Sequence, residues 1–99
     1  YFADMNFEEF KASIQKLSPP AILPAPLQAL WYDGKGDWHR AHNVAQDLHS
    51  TEGSWIHAYL HRKEGDEGNA SYWYQRGNKP FCTLSLDEEW ESIAKALLN

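Results

Sequence analysis

The stretch WIHAYLHRKEGDEGNASYWYQR, residues 55–76, decides how this chain folds. It opens with His57 and His61 four apart, pivots at Gly65-Asp66 and closes on Tyr72, Trp73 and Tyr74 in a row. Gly is the residue best able to end a helix in the left-handed conformation, and Asp is a strong cap for the helix that follows. The stretch therefore predicts a helix, a Gly-Asp corner and a second helix.

A fainter copy lies upstream. ALWYDGKGDWHRAHNVAQD from Ala29, written above AYLHRKEGDEGNASYWYQR from Ala58, matches at an offset of 29 residues at Ala29/Ala58, Gly36/Gly65, Asp37/Asp66, Ala41/Ala70 and Gln46/Gln75. The Gly-Asp-x₃-Ala core carries most weight, because the Ala lets two helix backbones approach. Two tandem hairpins follow from this, helices 2–3 and helices 4–5.

The flanks supply two more helices. Asn6 and Glu9 form a capping-box pattern, and Phe7, Phe10, Ile14 and Leu17 fall on one face, predicting a first helix over 6–17 that Ser18-Pro19-Pro20 stops. Pro26 suits the first turn of helix 2, with Leu27, Leu30 and Trp31 inward. Helix 3 is expected from Trp38 to about Leu48, with Trp38, Ala41, Ala45 and Leu48 on its core side. Ser50-Thr51 caps helix 4, which runs to Lys63 or Glu64, and helix 5 reaches roughly Arg76. Phe81 to Leu84 has the composition of a short extended piece. Ser85 with Glu88 caps a closing amphipathic helix bearing Leu86, Trp90, Ile93, Ala94 and Leu97. The expected fold is all-α, about six helices, in a single domain over residues 1–99. The chain starts at Tyr1 and not at Met, so a preceding segment is allowed for.

Composition narrows the function classes. With 99 residues and a formal net charge of −5, and with no run of Lys or Arg longer than two, binding to nucleic acid through a basic patch is disfavoured. No stretch approaches the roughly 18 apolar residues needed to cross a bilayer, so no membrane span is expected. The single Cys82 excludes a disulfide framework and any Cys₂His₂ or Cys₄ zinc site, and points mildly to a reduced, cytoplasmic setting. Cys82 follows a turn in an apolar context, where a thiol is usually inert.

The Gly-Asp corner followed by a small residue resembles the units of the tetratricopeptide and Sel1-like helical-hairpin families. The likeness is distant, since the period falls short of about 34 residues and the family's Trp, Leu-Gly and Tyr positions are not reproduced in order. It implies stacked hairpins with a concave face. Separately, GDWHRAHNVAQDL and WIHAYLHRKEGDEGNASYWYQR are similar to blocks in a group of small uncharacterised bacterial all-helical proteins. That second likeness covers about half the chain and implies no activity.

Histidines carry the sharpest chemistry. His57 and His61 share the i, i+4 spacing by which one helix offers two ligands to Zn²⁺, and Glu64 lies on the same stripe. Ala58 stands where a zincin needs Glu, so the metalloprotease motif is not met. Helix 3 adds His39, His42, Gln46 and His49. If helices 3 and 4 pack, His42 or His49 meets His57 or His61, and three imidazoles with Glu64 or Asp47 suffice for zinc or iron. The plainer alternative is that these rings hydrogen-bond across a helix interface.

Arg62, with Lys63, Arg40 and Arg76, is suited to an anionic group, although the neighbouring acids also fit a solvated mixed-charge turn. Asn69, in the first turn of helix 5, either presents its amide to a ligand or helps the cap. Tyr72, Trp73 and Tyr74 spread over about 200° of a helix. They cannot all face one core, so this triplet marks the best candidate binding surface. Most of the five Trp must nevertheless be core.

The leading expectation is a non-enzymatic helical binding module without a cofactor. Its partner is a peptide, a protein or a small anionic or polar ligand, engaged through His42, His57, His61, Arg62, Asn69, Tyr72 and Trp73. On that reading Arg62→Ala spares thermal stability. The first alternative is a small metal-dependent, hydrolase-like enzyme with zinc on His42, His57 and His61. The second is a self-associating structural domain forming a homodimer.

Overall fold

A computed structural model describes residues 5–98. Six α-helices and no strands are present among the described residues: α1 Phe7–Ser13, α2 Ala25–Gly34, α3 Trp38–Gln46, α4 Thr51–Lys63, α5 Glu67–Arg76 and α6 Leu86–Leu98. α2 packs against α3 and α4 against α5, the two hairpins join through α3 and α4, and α6 closes over α1, α2 and α4.

The two corners are built alike, atom for atom. Gly36 and Gly65 have φ of +94° and +90°. The N–H of Asp37 donates to the Tyr32 carbonyl and that of Gly36 to Asp33. Twenty-nine residues later, Asp66 donates to His61 and Gly65 to Arg62. Each pair is the Schellman closure, in which a left-handed residue turns orphan helix carbonyls back onto the chain. Each Asp then caps its own helix, Asp37 accepting from the Arg40 amide and Asp66 from that of Asn69. Ala41 and Ala70 are fully buried, as close helix approach requires.

The main core gathers Phe10, Leu27, Leu30, Trp31, Ile56, Leu60 and Ile93, with Trp90 packed against it. Trp90 stacks on Phe10 at 5.5 Å and donates to the Leu30 carbonyl, which locks α6 across the first hairpin. Both capping boxes form, Asn6 with Glu9 and Ser85 with Glu88.

Two expectations are corrected. The first helix ends at Ser13, because the chain from Ile14 to Lys16 tightens into i→i−3 bonds and Lys35 Nζ donates to the Ile14 and Lys16 carbonyls. Leu17, placed on the apolar stripe by periodicity, is almost fully exposed as a result. Helix α3 stops at Gln46 and leaves Leu48 half-buried in the connector. Residues 81–84, expected as a short extended piece within an all-α fold, run as a loop to the α6 cap.

Two buried carboxylates tie the elements together. Asp33 on α2 accepts from Tyr59 Oη at 2.7 Å and pairs with Lys63 Nζ at 3.0 Å. Glu89 on α6 accepts from Tyr74 Oη at 2.5 Å and from Arg62 Nη1 at 2.8 Å. Burial, then the adjoining carboxylate, pushes both phenols far up, so they stay protonated donors. No described helix is long and apolar enough to cross a membrane.

Candidate metal centre

The centre forms where α3 crosses α4. His57 and His61 lie one turn apart on α4, and their rings stack at 4.8 Å. His42 comes from α3 edge-on to both, with ring centroids 4.7 Å from His57 and 5.2 Å from His61. His42 Nε2 and His57 Nε2 are 3.0 Å apart, and one ring nitrogen of each of the three residues lies within 4.8 Å of the others. Nitrogen ligands at the usual zinc distance sit about 3.3 Å apart in a tetrahedron. The first pair, a hydrogen bond between the two imidazoles, is close to that spacing, and the His61 nitrogen lies within 4.8 Å of both.

Two tryptophans wall the cluster. Trp38 lies parallel to His42 at 4.9 Å and is itself fixed by donating Nε1–H to the Leu60 carbonyl. Trp73, reaching over from α5, lies flat on His57 at 3.9 Å. Between these walls His57 and His61 are buried while His42 is half-exposed.

Burial and crowding also set the protonation state. The His57 pKa is lowered to about 4 by desolvation first, then by the neighbouring His42 and His61 rings. That of His42 is lowered mainly by desolvation and by His61, with Glu64 acting in the opposite sense. Both imidazoles are therefore neutral near pH 7, the form a metal requires. On the far side, His61 Nδ1 is 2.6 Å from Glu64 Oε1. An ionised carboxylate only accepts, so Nδ1 carries the hydrogen of this contact and Nε2 is the ring nitrogen turned away from Glu64. This is the carboxylate–imidazole arrangement that orients ligand histidines in metal sites. His61, Glu64 and Asp66 also lie close together, but Asp66 already accepts twice from Asn69 in the α5 cap.

The remaining expected site residues go elsewhere. Arg62 points away from the imidazoles, to Glu89 and to the Leu84 carbonyl, with its side chain 17% exposed. It is a tie between α4, α6 and the loop before α6. Asn69 Nδ2 donates to Asp66 Oδ2 at 2.8 Å, so its amide serves the cap. Tyr72 is half-exposed, edge-on to Trp73, and accepts from Arg76 through its hydroxyl, while Tyr74 is inward. Of the helix-3 histidines, His42 alone joins: His39 sits edge-on to Trp38, and His49 lies beyond the helix end.

Periodicity places Trp38 on the core side of helix 3, whereas the structure makes it a wall of the cluster. Its position four residues before His42 was the available signal. Nothing local marked Asp33 or Glu89 as buried anchors. Compared with protein-family models, curated proteins and solved structures, the chain finds no match in any of the three.

Proposed function

We propose that this protein is a divalent transition-metal-binding module whose ligands are His42, His57 and His61, zinc being the ion that suits them best. The observation that carries this reading is the convergence of three imidazole nitrogens within 4.8 Å of one another, from two helices. The supporting chemistry is uniform. Imidazole is a preferred zinc ligand, the low pKa of His42 and His57 keeps them available, and Glu64 holds His61 in the matching tautomer. A bland interface pair would need two rings; the third ring, the carboxylate behind it and the two tryptophan walls fit a built centre better.

Three protein ligands leave one position of a tetrahedron open, the composition of catalytic zinc sites as opposed to closed structural ones. A zinc ion held by these three imidazoles would supply Lewis-acid activation of water near neutral pH. Hydrolysis of a small polar molecule is the activity class this composition favours.

The test is metal analysis of untagged protein, together with zinc titration against a chromophoric chelator. One equivalent of zinc per chain is expected, and His57→Ala, His61→Ala and His42→Ala should each lose it while keeping a helical circular-dichroism spectrum. Wild-type protein that takes up no stoichiometric zinc, or alanine variants that hold as much as wild type, would overturn the reading.

A further inference from the structure

One turn before His57, the groove between α3, α4 and α5 opens into a cavity of about 450 Å³ at the start of α4, lined by Gln46, His49, Thr51, Ser54, Trp73 and Arg76 among others. We infer that this cavity binds an oxyanion, the phosphate or carboxylate group of a small molecule. Among the described residues, no carboxylate pairs with Arg76, which lines it, and the first amides of α4 beside it have no protein acceptor.

Ser54 is the first observation. It is only 7% exposed, lines the cavity, and its hydroxyl has no hydrogen-bond partner among the described residues. The hydroxyl opens onto the cavity and is free to donate to a ligand that enters it. Its position is imposed by the helix, because residues 54, 57 and 61 share one face of α4.

Arg76 is the second. Its guanidinium stands over the Tyr72 and Trp73 rings at 5.7 and 5.3 Å, and donates to Tyr72 Oη at 3.1 Å. No carboxylate pairs with it among the described residues, whereas Arg40, Arg62, Lys63 and Lys95 all have acidic partners. The aromatic stack holds the guanidinium in place and leaves its fork open to a planar or tetrahedral oxyanion.

The end of α4 completes the set. Ser50 Oγ takes the Gly53 amide and the Ser50 carbonyl takes that of Ser54, and the Thr51 and Glu52 amides have no acceptor among the described residues. These N–H groups face the start of a thirteen-residue helix, where the dipole favours negative charge. The nearest acids, Asp47 and Glu52, are not among the cavity's lining residues, and Glu52 accepts from the Thr51 hydroxyl.

The pocket stands on these donors and not on the metal. Its bearing on the histidines, through the shared wall of Trp73, rests on the metal reading. A molecule held here by its anionic end would extend its other end along α4 toward His57.

Amide NMR titration of the metal-free full chain with inorganic phosphate, and separately with acetate, tests the pocket. Saturable shifts at Thr51, Glu52 and Ser54 are expected, and Arg76→Gln should weaken binding about tenfold or more. Ser54→Ala should weaken it less, and the anion bound more tightly identifies the head group. Binding that fails to saturate for both anions, or that is unchanged by Arg76→Gln, would overturn the inference. Zinc uptake by the same Arg76→Gln sample should equal that of wild type. Phosphate binding without zinc uptake would therefore sink the metal reading alone, and zinc uptake without anion binding would sink the pocket alone.

Discussion

Glu64 Oε1 lies 2.6 Å from His61 Nδ1, one turn further along the same helix. The bond joins α4 to its own C-cap residue and needs no partner helix, so the orientation of the ring does not depend on α3, which supplies His42.

This sets the first prediction. Glu64→Gln keeps a side chain of the same shape but removes the charge that favours the Nδ1–H tautomer. Zinc affinity should fall roughly 10–100-fold, the usual cost of losing an outer-shell partner, while the metal-free protein melts as before. Chelator competition and thermal denaturation on the same sample check both halves.

Arg62 supplies the second. Replacing it by Ala or Met strands Glu89, which is 2% exposed, with Tyr74 as its remaining partner. Breaking a buried pair from one side costs about 3–5 kcal/mol, whereas removing both charges in favour of apolar groups is often close to neutral. Arg62→Met should therefore lower stability by that order in urea denaturation, and Arg62→Met with Glu89→Met should recover most of it. This reverses the expectation that truncating Arg62 is thermally silent.

At the corners, Gly36→Ala and Gly65→Ala test the backbone alone. A Cβ at either position meets nothing within 4 Å, but φ is +94° and +90°. Each change should cost about 1 kcal/mol from the left-handed conformation, and the double variant roughly the sum. Gly34→Ala should cost more, because its Cβ would sit 2.5 Å from Ile14 Cδ1 and 2.9 Å from Trp90 Cζ2. Denaturation midpoints decide the order.

Acid provides the fourth test. In the metal-free chain the folded His57 takes its proton near pH 4, while the unfolded residue does so near 6.5. Between those values the unfolded state holds the extra proton, so stability is complete above about pH 6.5 and drains away as pH falls toward 4. The lowered His42 acts in the same direction. A loss on the order of 2 kcal/mol between about pH 7.5 and pH 5 is expected in the presence of a chelator, and His57→Phe should flatten it. Urea midpoints across that range measure the slope.

What was legible in the chain alone was whatever depends on neighbours a few residues apart. Both Gly-Asp corners, the Ser50, Asp37 and Asp66 caps and the two capping boxes are local hydrogen bonds, and all form as their spacing predicts. The split of Tyr72, Trp73 and Tyr74 between solvent, wall and core likewise follows from 100° per residue. The pairing of His57 with His61 was fixed by the same period.

Only the tertiary structure could select His42 over His49 as their companion, turn Arg62 inward to Glu89, and lay Trp73 on His57. Those meetings depend on how far one helix is rotated and shifted against another. That is set by the whole packed interface, with small residues such as Ala41, Ala45 and Ala70 admitting close approach. Periodicity places each side chain on a face of its own helix; the packing between helices determines which face it meets.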